Sequence, residues 1–381
     1  MDWKQDLNLG DVLPKWRRSK PAASRERAAA PRELVGLKVG STGLTAVQIV
    51  TNGSRQIVRL ADAPLAPGVL DGGEVRDPAA LGEALGSFFA EHDLARRGVR
   101  LGLGNSRIGV RVIEIAGIED EKQLQNAIAF RAHEMLSVSP EEAVIDYHVI
   151  STEADEDGVS TRRILLVVAY RESVDRYLSA CDAAGIEVTG IDLESFALLR
   201  AVAEPTEPAE DGAALVAVAV GHDRTTLAIS DGRTCEFARV LDWGGANLSA
   251  AVAHALKLSP SEGESVKQRL SLAPGAANDF IAEARATEAL EAVRFELQTL
   301  VRELLSSLRF YQSQPASLAI GEILLTGGTA DQPGFAEELE RELGITVRVA
   351  DPLARVELGE GIERPERLGA LSIAVGLGIE D

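Results

Sequence analysis

Three glycine-bearing turns carry the residues of this chain best suited to hold an anion. They are Gly40-Ser41-Thr42, the stretch from Gly221 to Thr225 and Thr226, and Thr326-Gly327-Gly328-Thr329, each following an apolar, β-branched run. Backbone N–H groups in such turns form concave anion sites, and glycine lets a phosphate approach the chain closely. Each turn alone is more often an ordinary hairpin than a ligand site, but three in this order point to a phosphate-bearing ligand. Glu264 and Lys267 stand three apart, on one face of a helix. Other chemistries are missing. There is no G-x-x-x-x-G-K-[S/T] loop and no G-x-S-x-G elbow, and Gly102-Leu-Gly104-Asn-Ser-Arg107 lacks the third glycine of a dinucleotide fingerprint. The five histidines show no metal-ligand spacing, and Cys181 and Cys235 have no C-x-x-C partner. No metal site and no catalytic residue is therefore expected, and Cys181 should pack on the buried face of a helix.

The elements that position the turns occur twice. Leu34 to Gly40, Leu44 to Val50 and Gln56 to Leu60 read as strand, tight turn, strand, turn, strand, and the same layout recurs 181 residues later from Leu215 to Leu241. In that register Leu34/Leu215, Val35/Val216, Val39/Val220, Gly40/Gly221 and Thr45/Thr226 are identical. A helical stretch follows each block, about Ala79–His92 and Leu248–Lys257, so two βββα units with a cleft between them are expected. Between them lies material of different character: strands Gly109–Ile115, Ala143–Ile150 and Arg162–Tyr170, and helices Asp120–Met135 and Val174–Ala184, the last closed by Gly185. A Pro- and acid-rich linker, Ala203 to Gly212, leads into the second block. Beyond it come a long helical region from Asp279 to Tyr311, strand Glu322–Thr326, helix Gly334–Leu343 and strand Thr346–Ala350.

Composition limits the partners. In 381 residues, 39 Lys+Arg stand against 59 Asp+Glu, a net charge of −20. That balance excludes a general nucleic-acid binder, which needs a positive footprint. Two cysteines suggest a reducing compartment, no apolar run approaches the roughly 18 residues of a membrane span, and no secretory leader is visible. The first thirty-odd residues are basic, with Pro21, Pro31 and an Ala-rich run, and read as a flexible tail. Ahead of the basic stretch, Trp3, Leu7, Leu9, Val12, Leu13 and Trp16 could serve as a docking peptide or touch an anionic membrane.

Four stretches carry a family likeness: Val35 to Ser41; Ala127 to Met135 with Ile145–Ile150, Ala183–Ile186 and Ile191–Leu198; Ala219 to Ile229; and Leu308–Ser313 with Leu324–Phe335 and Ile373–Gly378. In this order the chain resembles the actin-like ATPase superfamily and, within it, the PilM family of type IV pilus assembly proteins, relatives of the division protein FtsA. The resemblance implies an α/β, duplicated, ribonuclease-H-like fold: two lobes around a nucleotide cleft, with an inserted FtsA/PilM-type subdomain. On that basis residues 1–33 are the tail, 34–104 and 189–212 the first lobe, and 105–188 the insertion. Residues 213–245 with 321–381 are the core of the second lobe, and 246–320 its helical subdomain. Carried over by position, Gly40, Ser41 and Thr42 form the first phosphate hairpin, and Gly221, Thr225 and Thr226 the second. Glu264 and Lys267 contact ribose and adenine, and Gly327 and Gly328 form the adenosine turn.

Two departures bear on activity. Lys38 and Ala219 stand where the family pattern has Asp. Phosphoryl transfer rests on positioning and on Mg²⁺ charge compensation, and Mg²⁺ prefers carboxylate oxygens. Losing both acids implies weak or no hydrolysis and weakened Mg²⁺ coordination, and leaves the binding of ATP or ADP open. Lys38 could neutralise a phosphate directly or pair with Asp223. The implied function is a cytoplasmic scaffold, peripheral at the inner membrane, that holds the N-terminal tail of a PilN-like inner-membrane protein between insertion and first lobe. Membrane contact would be indirect or through the basic tail, and self-association is left open. The alternatives are an FtsA-like division adaptor or a weakly active ATPase. The chain stops inside its last core element, without the amphipathic tail that FtsA-like adaptors carry.

Overall fold

The computed structural model describes residues 32–136, 139, 141–154, 158–203, 212–314 and 317–379. The expectations for residues 1–31 and for most of the 203–212 linker lie outside them. β1 (Arg32–Val39), β2 (Gly43–Asn52) and β3 (Ser54–Pro64) form an antiparallel meander. A short ribbon, β4 (Leu70–Asp71) and β5 (Glu74–Val75), leads to helix α1 (Pro78–Glu91). Asp77 fixes its start by accepting from the Ala79 and Ala80 amides at 3.1 and 3.0 Å, with Pro78 in the first turn. β6 (Val99–Leu103) pairs parallel to β1. Next come β7 (Gly109–Ala116), α2 (Glu121–Leu136), β8 (Ala143–Ala154), β9 (Ser160–Tyr170) and α3 (Arg171–Ala183). β10 (Val188–Leu193) returns to pair parallel to β6, and α4 (Glu194–Val202) follows directly.

The second unit repeats the first. β11 (Ala213–Val220), β12 (Thr225–Ser230) and β13 (Cys235–Leu241) form a second antiparallel meander. Helices α5 (Gly245–Leu256), α6 (Pro260–Arg269) and α7 (Glu283–Gln312) intervene before β14 (Ala319–Thr326) pairs parallel to β11, as β6 does to β1. α8 (Phe335–Leu343), β15 (Val347–Val349), β16 (Glu357–Leu358) and α9 (Ser372–Gly378) complete the described chain. Every residue from Val216 to Val220 is buried, as a strand covered on both faces requires. The duplication reaches the hydrogen bonds: Lys38 faces Thr45 and Ala219 faces Thr226. The Gly40 amide donates to the Gly43 carbonyl, and the Gly221 amide to the Arg224 carbonyl, both at 2.8 Å.

Helices α4 and α9 pack between the two sheets, where Ala197, Leu198, Ala217, Ala219, Ile373 and Leu377 form a buried cluster. Gly376 permits this contact, because a Cβ there would lie 1.8 Å from the Ala197 carbonyl oxygen. The insertion has its own core, including Ile115, Leu124, Ile128, Ile164, Leu166 and Val168. It extends the second lobe's sheet through one residue pair, Phe237 opposite Arg111. Arg163 of β9 reinforces that junction with an ion pair to buried Glu236 at 2.6 Å, and the Tyr311 hydroxyl donates to Glu236 at 2.5 Å. Burial and that bond together raise the Tyr311 hydroxyl well above its ordinary range.

Packing divides the chain differently from the sequence-based segments at two places. α3 lies within the 105–188 segment, yet Val174, Tyr177, Ala180 and Cys181 join the first lobe's core beside Leu81, Leu85 and Phe88 of α1. The apolar stripe of α3 finds its complement on α1. The C-terminal stretch, placed with the second lobe, returns to the first: β16 pairs parallel to β3, and Ala374, Val375 and Ile379 pack on Val47, Ile49 and Ile57.

Candidate functional site

The two duplicated hairpins face one another across a cavity of about 620 Å³. Lys38, Gly40, Ser41 and Thr42 line it from the first lobe, Ala219, Gly221 and Thr226 from the second, and Gly328 from the third turn. Four other sequence candidates stand behind this wall. The buried Thr225 hydroxyl donates to the Trp243 carbonyl at 2.8 Å, tying the hairpin to the chain before α5. Gly327 has φ +95°, and a Cβ on it would sit 2.3 Å from the Val220 carbonyl oxygen, so it shapes the turn. Glu264 and Lys267 form an ion pair at 3.2 Å on α6. The Lys267 ammonium lies 3.3 Å from where a Cβ of Gly245 would be, and the Gly245 amide donates to the Gly221 carbonyl at 2.9 Å. The pair thus backs the second hairpin. Burial works against the Glu264 charge, but hydrogen bonds from Ser249 and Gln268 and the Lys267 ammonium hold its carboxyl below the ordinary range.

The cavity also contains residues that the motif search passed over: Asp62, Glu194, Arg224 and Arg367. Arg224 is only 6% exposed, although it sits in a turn. Its guanidinium crosses to the first lobe, donating to the Gly104 carbonyl at 2.8 Å, and lies 3.7 Å from the carboxylate of Asp223. Gly73 makes room for it, since a Cβ there would fall 1.7 Å from Arg224 Nη1, and the Tyr177 hydroxyl donates to the Gly73 carbonyl at 3.0 Å. Burial works against the guanidinium charge, yet Glu194, Asp223, Tyr177 and Asp242 outweigh it and hold Arg224 above its ordinary range. An arginine inside a glycine-type hairpin that follows the wholly apolar β11 is the available signal. Glu194 was signalled by its place at the start of a helix directly after a strand.

The wall of the cavity suits phosphate better than a divalent metal. Among the described residues, the amides of Ser41, Thr42, His222 and Asp223 have no acceptor. The Ser41 hydroxyl is buried with no partner. Lys38 is half-buried, and no described carboxylate lies within ion-pair distance of it, so it does not pair with Asp223. No cluster of three or more His, Cys, Asp or Glu among the described residues could hold a metal ion. A nucleotide's phosphates would therefore meet the Gly40–Thr42 and Gly221–Thr226 hairpins and Lys38, while positions 38 and 219 offer Mg²⁺ no carboxylate.

A second cavity, of about 590 Å³, opens between the insertion, the first lobe and the β12–β13 turn. Its apolar lining is Leu165 of β9, Phe196 and Leu199 of α4, and Ile379, while Arg55, Arg200, Arg233 and Arg355 contribute cationic groups. Arg355 donates to the Arg200 carbonyl at 2.6 Å and Arg200 pairs with Asp192, so the wall is built into the first lobe. Cys235 borders this cavity, but burial pushes its thiol up to about 12, and the Cys181 thiol is raised to about 12 for the same reason. Neither thiol should react with Ellman's reagent at pH 8 until the protein is unfolded, when both should titrate. Rapid native modification of either would contradict their burial. No helix among the described residues is long and apolar enough to cross a membrane.

Comparison with known proteins agrees with this geometry. A solved PilM–PilN type IV pilus biogenesis complex is similar with a TM-score of 0.75 and 24% identity, over 91% of this chain and 98% of that one. MreB5 of Spiroplasma citri bound to ADP gives 0.53 and 11% identity over 91% and 94%. FtsA of Escherichia coli K12 is 23% identical over 92% of this chain and 90% of its own length, and FtsA of Bacillus subtilis 25% over 84% and 78%. The fold is thus actin-like, α/β and duplicated, with two lobes around a cleft and the insertion read from the sequence. Residues 36–381 match the family described as type IV pilus assembly protein PilM, and the chain belongs to that family.

Proposed function

We propose that the protein is an actin-like scaffold of the type IV pilus machine that holds the N-terminal tail of a PilN-like inner-membrane protein. The groove walled by Phe196, Leu199, Leu165 and Ile379 carries this reading. It lies between insertion and first lobe, is deep enough for apolar side chains, and is edged by backbone and arginines that can fix an extended peptide. The similar PilM–PilN structure supports such a partner. Such a tail would keep the protein at the cytoplasmic face of the inner membrane.

On this reading the cleft binds nucleotide as a structural ligand that stabilises the closed lobes. Lys38, Gly40, Ser41 and Thr42 meet its phosphates from one side and Gly221 and Thr226 from the other, with Gly328 at the adenosine. Thr225, Gly327, Glu264 and Lys267 hold those turns in place from behind. Hydrolysis fails because no carboxylate stands at 38 or 219 to orient water. Two measurements test the proposal. A labelled peptide from the PilN-type tail should bind saturably, and ATP should release no phosphate above background. Steady turnover by the unmodified protein, or no saturable tail binding, would overturn it.

A further inference from the structure

We infer that Lys38 is a built-in counter-cation, so that a nucleoside di- or triphosphate binds the cleft without a divalent metal. The inference rests on reading the cavity as a nucleotide cleft and deepens it. Lys38 is the last cavity-facing side chain of β1 before the Gly40–Thr42 hairpin, opposite Thr45. Its equivalent in the second unit is the small, buried Ala219 opposite Thr226. The ammonium therefore enters an open space that the second lobe does not fill.

Charge in the cavity divides into two groups. Arg224 is engaged by the second hairpin and the first lobe: it donates to Gly104, lies near Asp223, and is held charged by Glu194 and Asp223. Those two carboxylates are thus committed to balancing a buried guanidinium. Asp223 keeps one buried carboxylate oxygen without a partner, and no group of three or more His, Cys, Asp or Glu among the described residues could hold a metal ion without the nucleotide. Asp62 is a separate lining residue. Lys38 has no ion pair among the described residues, and next to it the Ser41 hydroxyl and the Ser41 and Thr42 amides are unengaged donors. Lys38, with Arg367 as a second cation lining the cavity, and the converging donors complement a phosphate chain that arrives bare.

The test is equilibrium binding of a fluorescent ATP analogue and of ADP to the full-length protein, in excess EDTA and in millimolar Mg²⁺. Affinity should differ by no more than about 3-fold between the two. Lys38→Met should weaken binding about 10- to 100-fold in both, the value of one charge-assisted contact, while Lys38→Arg should keep most of it. Combining Lys38→Asp with Ala219→Asp should create a binding that requires Mg²⁺. Each variant's melting temperature and tail-peptide affinity confirm that it is folded. Binding seen only with Mg²⁺, or a Lys38→Met protein that binds like the parent, would overturn the inference and leave the nucleotide cleft standing. No binding in either condition would overturn both, and intact tail binding would still leave the scaffold reading in place.

Discussion

Phe196→Ala should weaken the PilN-type tail at least about 30-fold, measured by fluorescence anisotropy of a labelled peptide. Phe196 is half-buried on α4 and lines the groove from the first lobe, as Leu165 does from the insertion. An aromatic anchor in an apolar pocket is the kind of residue whose truncation costs 2 kcal/mol or more, which is roughly 30-fold in affinity. Its inner edge also packs near Val110, Leu165 and Leu193, so truncation removes some core contact. Leu199→Glu is the companion variant. Leu199 is half-buried at the same wall, and a carboxylate there places an unpaired charge where apolar peptide side chains would sit. Both variants should keep the parent's nucleotide affinity, because the cleft lies elsewhere. Peptide affinities within about 3-fold of the parent in both would place the tail on another surface.

Local pattern made the fold legible where it was repeated. β1–β3 and β11–β13 alternate or run apolar between glycine turns, and the shared glycines at 40 and 221 set the register that the hydrogen bonds then display. The helices carry ordinary local signals, such as Asp77-Pro78 before α1 and Ser259-Pro260 with Glu262 at α6. Long-range choices were hidden. Nothing local says that the stripe of α3 seeks α1 more than its own insertion, or that residues 357–358 cross back to add a strand beside β3. The site shows the same division. The hairpin residues could be named from type and spacing, whereas Arg224 and Glu194 became site residues only when two lobes 120 residues apart in sequence met at Gly104. Thr225 and Gly327 have the right chemistry for a ligand, and tertiary contacts spend it on holding the turns.

Arg224→Leu should be the most destabilising change in the cleft, on the order of 3–5 kcal/mol in urea denaturation, the usual consequence of removing one partner from a buried charged group. The guanidinium is the one side chain that passes from the second hairpin into the first lobe and donates there to a backbone carbonyl. Without it, buried Glu194 and half-buried Asp223 lose their shared counter-charge, and the space left open by Gly73 becomes a void beside Tyr177. Arg224→Lys should recover only part of the loss. A lysine keeps the charge, but its single point donor cannot reproduce the planar fork that reaches the Gly104 carbonyl while staying beside Asp223. Adding Asp223→Asn to Arg224→Leu should return part of the stability, because it removes one of the uncompensated charges. Hydrogen exchange should accelerate first in residues 73–75 and at 104, where the first lobe meets the arginine. The same substitution also changes the cleft's charge. Two carboxylates released beside Lys38 would oppose a bare phosphate and favour a metal, so whatever nucleotide binding remains should acquire a dependence on Mg²⁺ that the parent lacks. A variant that unfolds at the parent's urea midpoint and binds nucleotide equally well in EDTA would show that the lobes are held together by the α4–α9 contact alone.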